Sequence, residues 1–169
     1  MKAEYANIFI RSAVEVFQKE VAVRLSRNEL ARKESTAPSL PITIMLGVTG
    51  SLRGQVVYAM DDTFAYNVAK AMLPNRLPAE IKKLVNSAVS EMANMITGQA
   101  SIWLAGETDL IHITPPAVLL ARELKMDFLD VPTIGLRFIS EIGLLEINIA
   151  LVDSYGNGNG NGNGNGNGR

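Results

Sequence analysis

The chain has 169 residues, sixteen basic against seventeen acidic side chains, and no cysteine. A net charge of −1 excludes a nucleic-acid binder driven by bulk charge, and the missing thiols exclude a disulfide framework, a thiolate zinc site and a cysteine nucleophile. No apolar run is long enough to span a membrane as a helix, and the opening MKAEYANIFIRSAVEVF carries Glu4 and Arg11 inside its apolar pattern with no cleavage site, so a soluble cytoplasmic protein is expected.

In chain order, residues 4–25 come first, with Ile8, Phe9, Ala13, Val16, Phe17 and Val21 near helical spacing and Arg11, Glu15 and Lys19 between them. This spacing predicts an amphipathic helix. Residues 26–40 are polar, run into Pro38 and Pro41, and read as a loop. ITIMLGV and GQVVYAM (54–60) are rich in β-branched residues and are separated by Thr49-Gly50-Ser51, which predicts a hairpin. Asp61, Asp62 and Thr63 offer N-cap groups for a helix that Pro74 stops. Pro78 and Glu80 suit the first turn of the next helix, expected over 78–104 with a bend possible at Gly98. LIHIT (110–114) reads as a strand ending at Pro115-Pro116, AVLLA follows, and residues 131–153 read as two strands joined near Glu141-Ile142-Gly143. The segregated elements predict an α+β domain with a largely antiparallel sheet and long helices packed on it, over residues 1–155. Residues 156–169 alternate Gly and Asn, hold nothing to bury, and read as a disordered low-complexity tail.

The long helix carries the chemistry. Leu84, Val85, Ala88, Val89, Met92, Met95 and Ile96 form an expected core stripe, while Ser87, Glu91, Asn94 and Ser101, spaced four, three and seven apart, share a polar one. A Glu and an Asn one turn apart are ordinary on a solvated helix, so the stripe alone carries little. The remaining chemical motifs are weaker. Asp61-Asp62 looks like a receiver's acidic pair but lacks the alternating β and α units around it, so it reads as capping. Gly47 to Gly54 has no Gly-Lys-Ser/Thr and is no P-loop. His112 stands alone between Ile111 and Ile113, which leaves it short of a metal site or triad. Met92, Met95 and Trp103 read as core or interface, and Lys82-Lys83 as a solvated pair.

Ser87, Glu91 and Asn94, followed 21 positions later by Pro115, resemble the S-x-x-x-E-x-x-N signature of the CheX, CheC and FliY family of chemotaxis phosphatases. The Asn-containing first helix, the hairpin GVTGSLRGQVVYAM, Asn94-Met-Ile-Thr-Gly98 and Ile113-Thr114-Pro115-Pro116 are similar to the CheX branch in particular, and the resemblance covers roughly residues 5–152. It implies hydrolysis of the aspartyl phosphate on a phosphorylated CheY-like receiver. Asn94 would position the attacking water, Glu91 would pair with the receiver's active-site lysine, and Ser87 would take a supporting or interface role. It implies no cofactor of the chain's own, Mg²⁺ on the partner receiver, no nucleic-acid or membrane partner, and a homodimer. The long C-terminal strands RFISE and LLEINIALV, read as leaving edges that need covering, point the same way. A second string, Glu4-Tyr5-Ala6-Asn7, has Met1 where Ser or Asp belongs and reads as chance, leaving one site per chain. The alternative is a non-catalytic docking module that uses the same helix face to bind a receiver or a motor-switch component. An amide paired with a carboxylate favours catalysis, since aligning water on an already activated acyl phosphate is mainly a matter of positioning.

Overall fold

The computed structural model describes residues 3–33, 40–106, 110–120 and 131–154; the Gly-Asn tail and residues 34–39 of the expected loop lie outside them. Among the described residues the elements run α1 (Ala3–Glu20), β1 (Ser26–Lys33), β2 (Ile42–Gly50), β3 (Leu52–Met60), α2 (Asp62–Met72), α3 (Pro78–Ala105), β4 (Ile111–Ile113), β5 (Ala117–Leu120), β6 (Thr133–Ser140) and β7 (Gly143–Asp153). The strands form one seven-stranded antiparallel sheet, ordered β1-β6-β7-β3-β2-β4, with β5 pairing the other end of β2.

Alternation sets the sheet's two faces. Ile42, Ile44, Leu46 and Val48 of β2, Val56, Tyr58 and Met60 of β3, Leu136 and Phe138 of β6, and Leu145, Ile147, Ile149 and Leu151 of β7 share the core with the three helices. Phe9, Phe17, Phe64, Met92 and Ile96 come down onto this face from the helices, and Phe17 and Phe64 meet with ring centroids 5.5 Å apart. A smaller apolar group on the opposite face joins Val57 and Ala150.

The α+β reading holds, with three local corrections. The first helix ends at Glu20, short of the expected 25. The Phe17 carbonyl accepts from the amides of both Val21 (3.0 Å) and Val23 (3.4 Å), and Ala22 turns the chain at φ 56°. A non-glycine residue in the left-handed region leaves no sequence signal for a helix end. Beyond it Val21, Val23 and Leu25 are buried at every second position, in the manner of a strand.

The second correction is β1, which occupies the segment read as loop. Ser26–Lys33 pairs antiparallel with β6, Ser26 opposite Ile139 and Lys33 opposite Thr133, with an irregularity between Arg27 and Glu29. The sequence SRNELARK has neither alternation nor β-branched residues; as an edge strand, it is made by the ladder that β6 offers.

The third correction concerns the C-terminal strands, which are not edges: β6 lies between β1 and β7, and β7 between β6 and β3.

Candidate functional site

α3 is fixed at both ends by local chemistry. Pro78 opens its first turn, and the Glu80 carboxylate reaches back to accept the Leu77 amide at 3.0 Å. Gly106 at φ 61° ends it. The 28 residues between run as one helix through Gly98. Its first half packs on α2 through Ile81, Ala88 and Ala69. Its second half packs on α1, where Gln99 donates to Glu15 at 3.1 Å and the Arg11 guanidinium lies 4.3 Å from the Trp103 ring centroid. Val89, Met92, Ala93, Ile96, Thr97 and Ala100 face the sheet, fully buried.

That arrangement leaves one face of α3 open. Ser87 and Glu91 are exposed on it and Asn94 is half-buried. Steps of four and three put the three side chains in line, with neighbouring Cβ atoms about 5–6 Å apart. Among the described residues none of the three side chains has a hydrogen bond or ion pair, which leaves a carboxylate and a carboxamide side by side on the helix surface. Ser101 does not belong to this open stripe: it is 8% exposed and donates its hydroxyl to the Thr97 carbonyl at 2.8 Å. The buried positions of α3 recur as the pairs 88/89, 92/93, 96/97 and 100/101, steps of four that carry the buried stripe round the helix until it takes in Ser101; beside it, a methyl placed on Gly98 would sit 3.9 Å from Ile113 Cδ1 of β4. Leu84, Val85 and Met95, expected in the core, are only partly buried, and Thr97 and Ala93 take core positions instead.

The segment Thr114-Pro115-Pro116 leaves β4 beside this turn of α3. Thr114 holds it to β2: its hydroxyl accepts the Gly47 amide at 2.9 Å and its amide donates to the Gly47 carbonyl at 3.0 Å. A Cβ at Gly47 would come 3.0 Å from Thr114 Cγ2, so the glycine is what admits this close approach. On the other flank a groove of about 600 Å³ runs between α1 and α3, lined by Glu15, Lys19, Met95, Gln99, Ile102 and Trp103. Ile102, in line with Glu91 three turns on, is 72% exposed.

The other sequence candidates sit elsewhere. Asp61 caps α2, accepting the Phe64 amide at 2.6 Å, and its second oxygen accepts the Leu144 amide at 3.3 Å. His112 is exposed on β4 opposite Thr49, and Glu4 and Asn7 are exposed near the start of α1. Among the described residues no group of three or more His, Asp or Glu is placed to hold a metal ion, and no helix is long and apolar enough to cross a membrane.

A polar link beneath the site went unread in the sequence. Tyr58 Oη lies 2.7 Å from Thr97 Oγ1, and Thr97 Oγ1 donates to the Ala93 carbonyl at 2.8 Å. Burial holds the Tyr58 phenol well above its ordinary range, with the Thr97 hydrogen bond pulling the other way, so the group stays protonated. A tyrosine on the core-facing alternation of β3 is the signal, since a buried phenol needs a partner.

Residues 42–136, more than half of the chain, match the family model described as chemotaxis phosphatase CheX. The chain belongs to the CheX family. It is 25% identical over 126 residues to the CheY-P phosphatase CheX of Thermotoga maritima, covering 75% of this chain and 81% of that protein. The chemotaxis protein CheX of Desulfovibrio desulfuricans superposes with a TM-score of 0.77 at 22% identity, covering 89% of this chain and 99% of that one. CheX in the CheX–CheY–BeF3–Mg²⁺ complex of Borrelia burgdorferi superposes with a TM-score of 0.75, also at 22% identity, covering 88% and 98%. These likenesses extend beyond the matched segment to most of the chain.

Proposed function

We propose that the chain is a phosphatase for the aspartyl phosphate of a CheY-like response regulator, acting in chemotaxis or two-component signalling, with Asn94 and Glu91 as its catalytic residues. The observation that carries the assignment of residues is the open face of α3. A carboxylate and a carboxamide one turn apart, without side-chain partners among the described residues, stand on a helix whose inner face is buried against the sheet. The CheX membership carries the choice of substrate.

The chemistry needs little else. Water attacks phosphorus, the bond from phosphorus to the receiver's carboxylate oxygen breaks, the carboxylate leaves with the electron pair, and the water's protons depart on the inorganic phosphate. The acyl phosphate is already activated, so the gain comes from holding water in line. A carboxamide accepts a hydrogen bond from the water through its oxygen and donates one through its nitrogen without titrating. Asn94 supplies that group. Glu91 pairs with the receiver's active-site lysine, which fixes the two proteins in register, and Ser87, one turn back, contacts the receiver at the margin. Mg²⁺ belongs to the receiver and offsets the phosphoryl charge there. The working unit is a homodimer with one site per chain.

The deciding experiment follows loss of phosphate from a phosphorylated CheY-like receiver with and without the protein. Acceleration is expected, varying little with pH between about 6.5 and 8 because an amide does the aligning. Asn94→Ala is expected to slow it by ~10²-fold. Binding of the receiver without any acceleration would leave a docking module in its place.

A further inference from the structure

The inner face of α3 is almost wholly apolar where it crosses the sheet: Val89, Met92, Ile96 and Ala100 are each fully buried. Apolar contact is non-directional; it fixes how far the helix lies from the sheet better than how it is rotated or how high it sits. Among the described residues one directional link crosses this interface. Thr97 gives its only hydroxyl proton to the Ala93 carbonyl at 2.8 Å, so at 2.7 Å the Tyr58 phenol is the donor and Thr97 the acceptor. The chain therefore runs from Tyr58 through Thr97 to Ala93. The Ala93 carbonyl belongs to the peptide group whose nitrogen is that of Asn94. Tyr58 is itself held in the middle of the sheet, opposite Ile44 of β2 on one side and Ile147 of β7 on the other.

We propose that Tyr58 and Thr97 are positioning residues for Asn94. They pin the peptide that carries it to the central strand of the sheet and so fix where its carboxamide points. This rests on the reading of Asn94 as the residue that aligns water. Both are fully buried, so neither touches the receiver, and their effect reaches the reaction through α3 alone. The link holds over the whole working pH range, because burial keeps the phenol protonated.

The test measures steady-state dephosphorylation of a phosphorylated receiver by the full chain. Tyr58→Phe removes one oxygen and keeps the ring that fills the core. It is expected to lower kcat about tenfold with KM for the receiver unchanged, a fraction of what complete loss of alignment costs. Thr97→Val should do the same, and Thr97→Ser, which keeps the hydroxyl, should restore the wild-type rate. The same Tyr58→Phe change is then made beside Asn94→Ala. If the link acts through Asn94, it has no further effect on kcat there; if it only loosens the fold, the same factor appears in both backgrounds. Wild-type kcat for Tyr58→Phe, an equal factor in the Asn94→Ala background, or Thr97→Ser as slow as Thr97→Val would each overturn the proposal. Should Thr97→Val not fold, Tyr58→Phe in the two backgrounds carries the test. If Asn94→Ala is slow while Tyr58→Phe is at the wild-type rate, the positioning role alone fails. If Asn94→Ala itself runs at the wild-type rate, the catalytic reading fails and takes this role with it.

Discussion

Glu91 and Asn94 stand one turn apart on the same open face, yet their replacement should read out differently. A carboxamide that aligns water acts at the transition state, so Asn94→Ala should lower kcat and leave receiver affinity nearly intact. A carboxylate paired with a lysine in a pocket closed to water contributes to the complex as well as to alignment. Glu91→Ala should therefore weaken receiver binding, measured by titration calorimetry, and slow the reaction too. Ser87→Ala should shift stability by no more than about ±0.5 kcal/mol, as expected on an exposed face. Tyr58 allows a prediction that does not depend on function. Its phenol ionises above the ordinary value of about 10 because of burial, so above that pH the unfolded chain releases a proton that the folded one keeps. The contribution is fully present below about pH 10 and is lost progressively as pH rises beyond it. The stability of Tyr58→Phe, followed by urea denaturation, should fall less steeply there, by about 1.4 kcal/mol per pH unit.

At the scale of elements, α3 combines a buried face that sets stability with an open face that is free of that duty. Ile96 is fully buried on the inner side, one turn from Ala93 and Ala100. Ile96→Ala should lower the unfolding free energy by about 2–5 kcal/mol, read from chemical denaturation, through lost transfer energy and the cavity left behind. α2 depends on a single capping carboxylate that also holds the β6–β7 turn through the Leu144 amide. Asp61→Ala should cost about 1–2 kcal/mol by the same measurement, toward the upper end for a helix cap because two elements lose a bond at once. β1 shows the opposite case, an element whose own residues argue for none. Its eight positions form a strand because β6 presents an unpaired ladder beside them.

At the scale of the molecule, among the described residues the sheet ends at β1 on one side and at β4 with β5 on the other. An exposed edge is a template for pairing with another chain, and natural proteins cover or blunt it. These edges predict a homodimer in which a second copy covers one of them. Light scattering at micromolar concentration should give twice the monomer mass; only monomer would count against it. Among the described residues all three helices lie on the core face of the sheet, and Ser87 and Glu91 are exposed on the side of α3 turned away from it.

The sequence by itself determined the class of fold, most of the elements and the alignment of Ser87, Glu91 and Asn94. These depend on periods of two and 3.6 residues and on caps such as Asp61 and Pro78, all local in the chain. It also put Val89, Met92 and Ile96 in the core and Asp61 at a helix start, where the structure has them. Tertiary structure alone decided three things. It made β1 a strand, because hydrogen bonding to a neighbouring strand outweighs weak propensity at an edge. It buried Ser101 while leaving Asn94 half open, although the two lie at nearly the same angle, because helical phase gives an angle around the axis without saying what covers each turn. It joined Tyr58 to Thr97 across 39 positions, a pairing that no local period encodes and that exists only because the long helix is laid across the middle of the sheet.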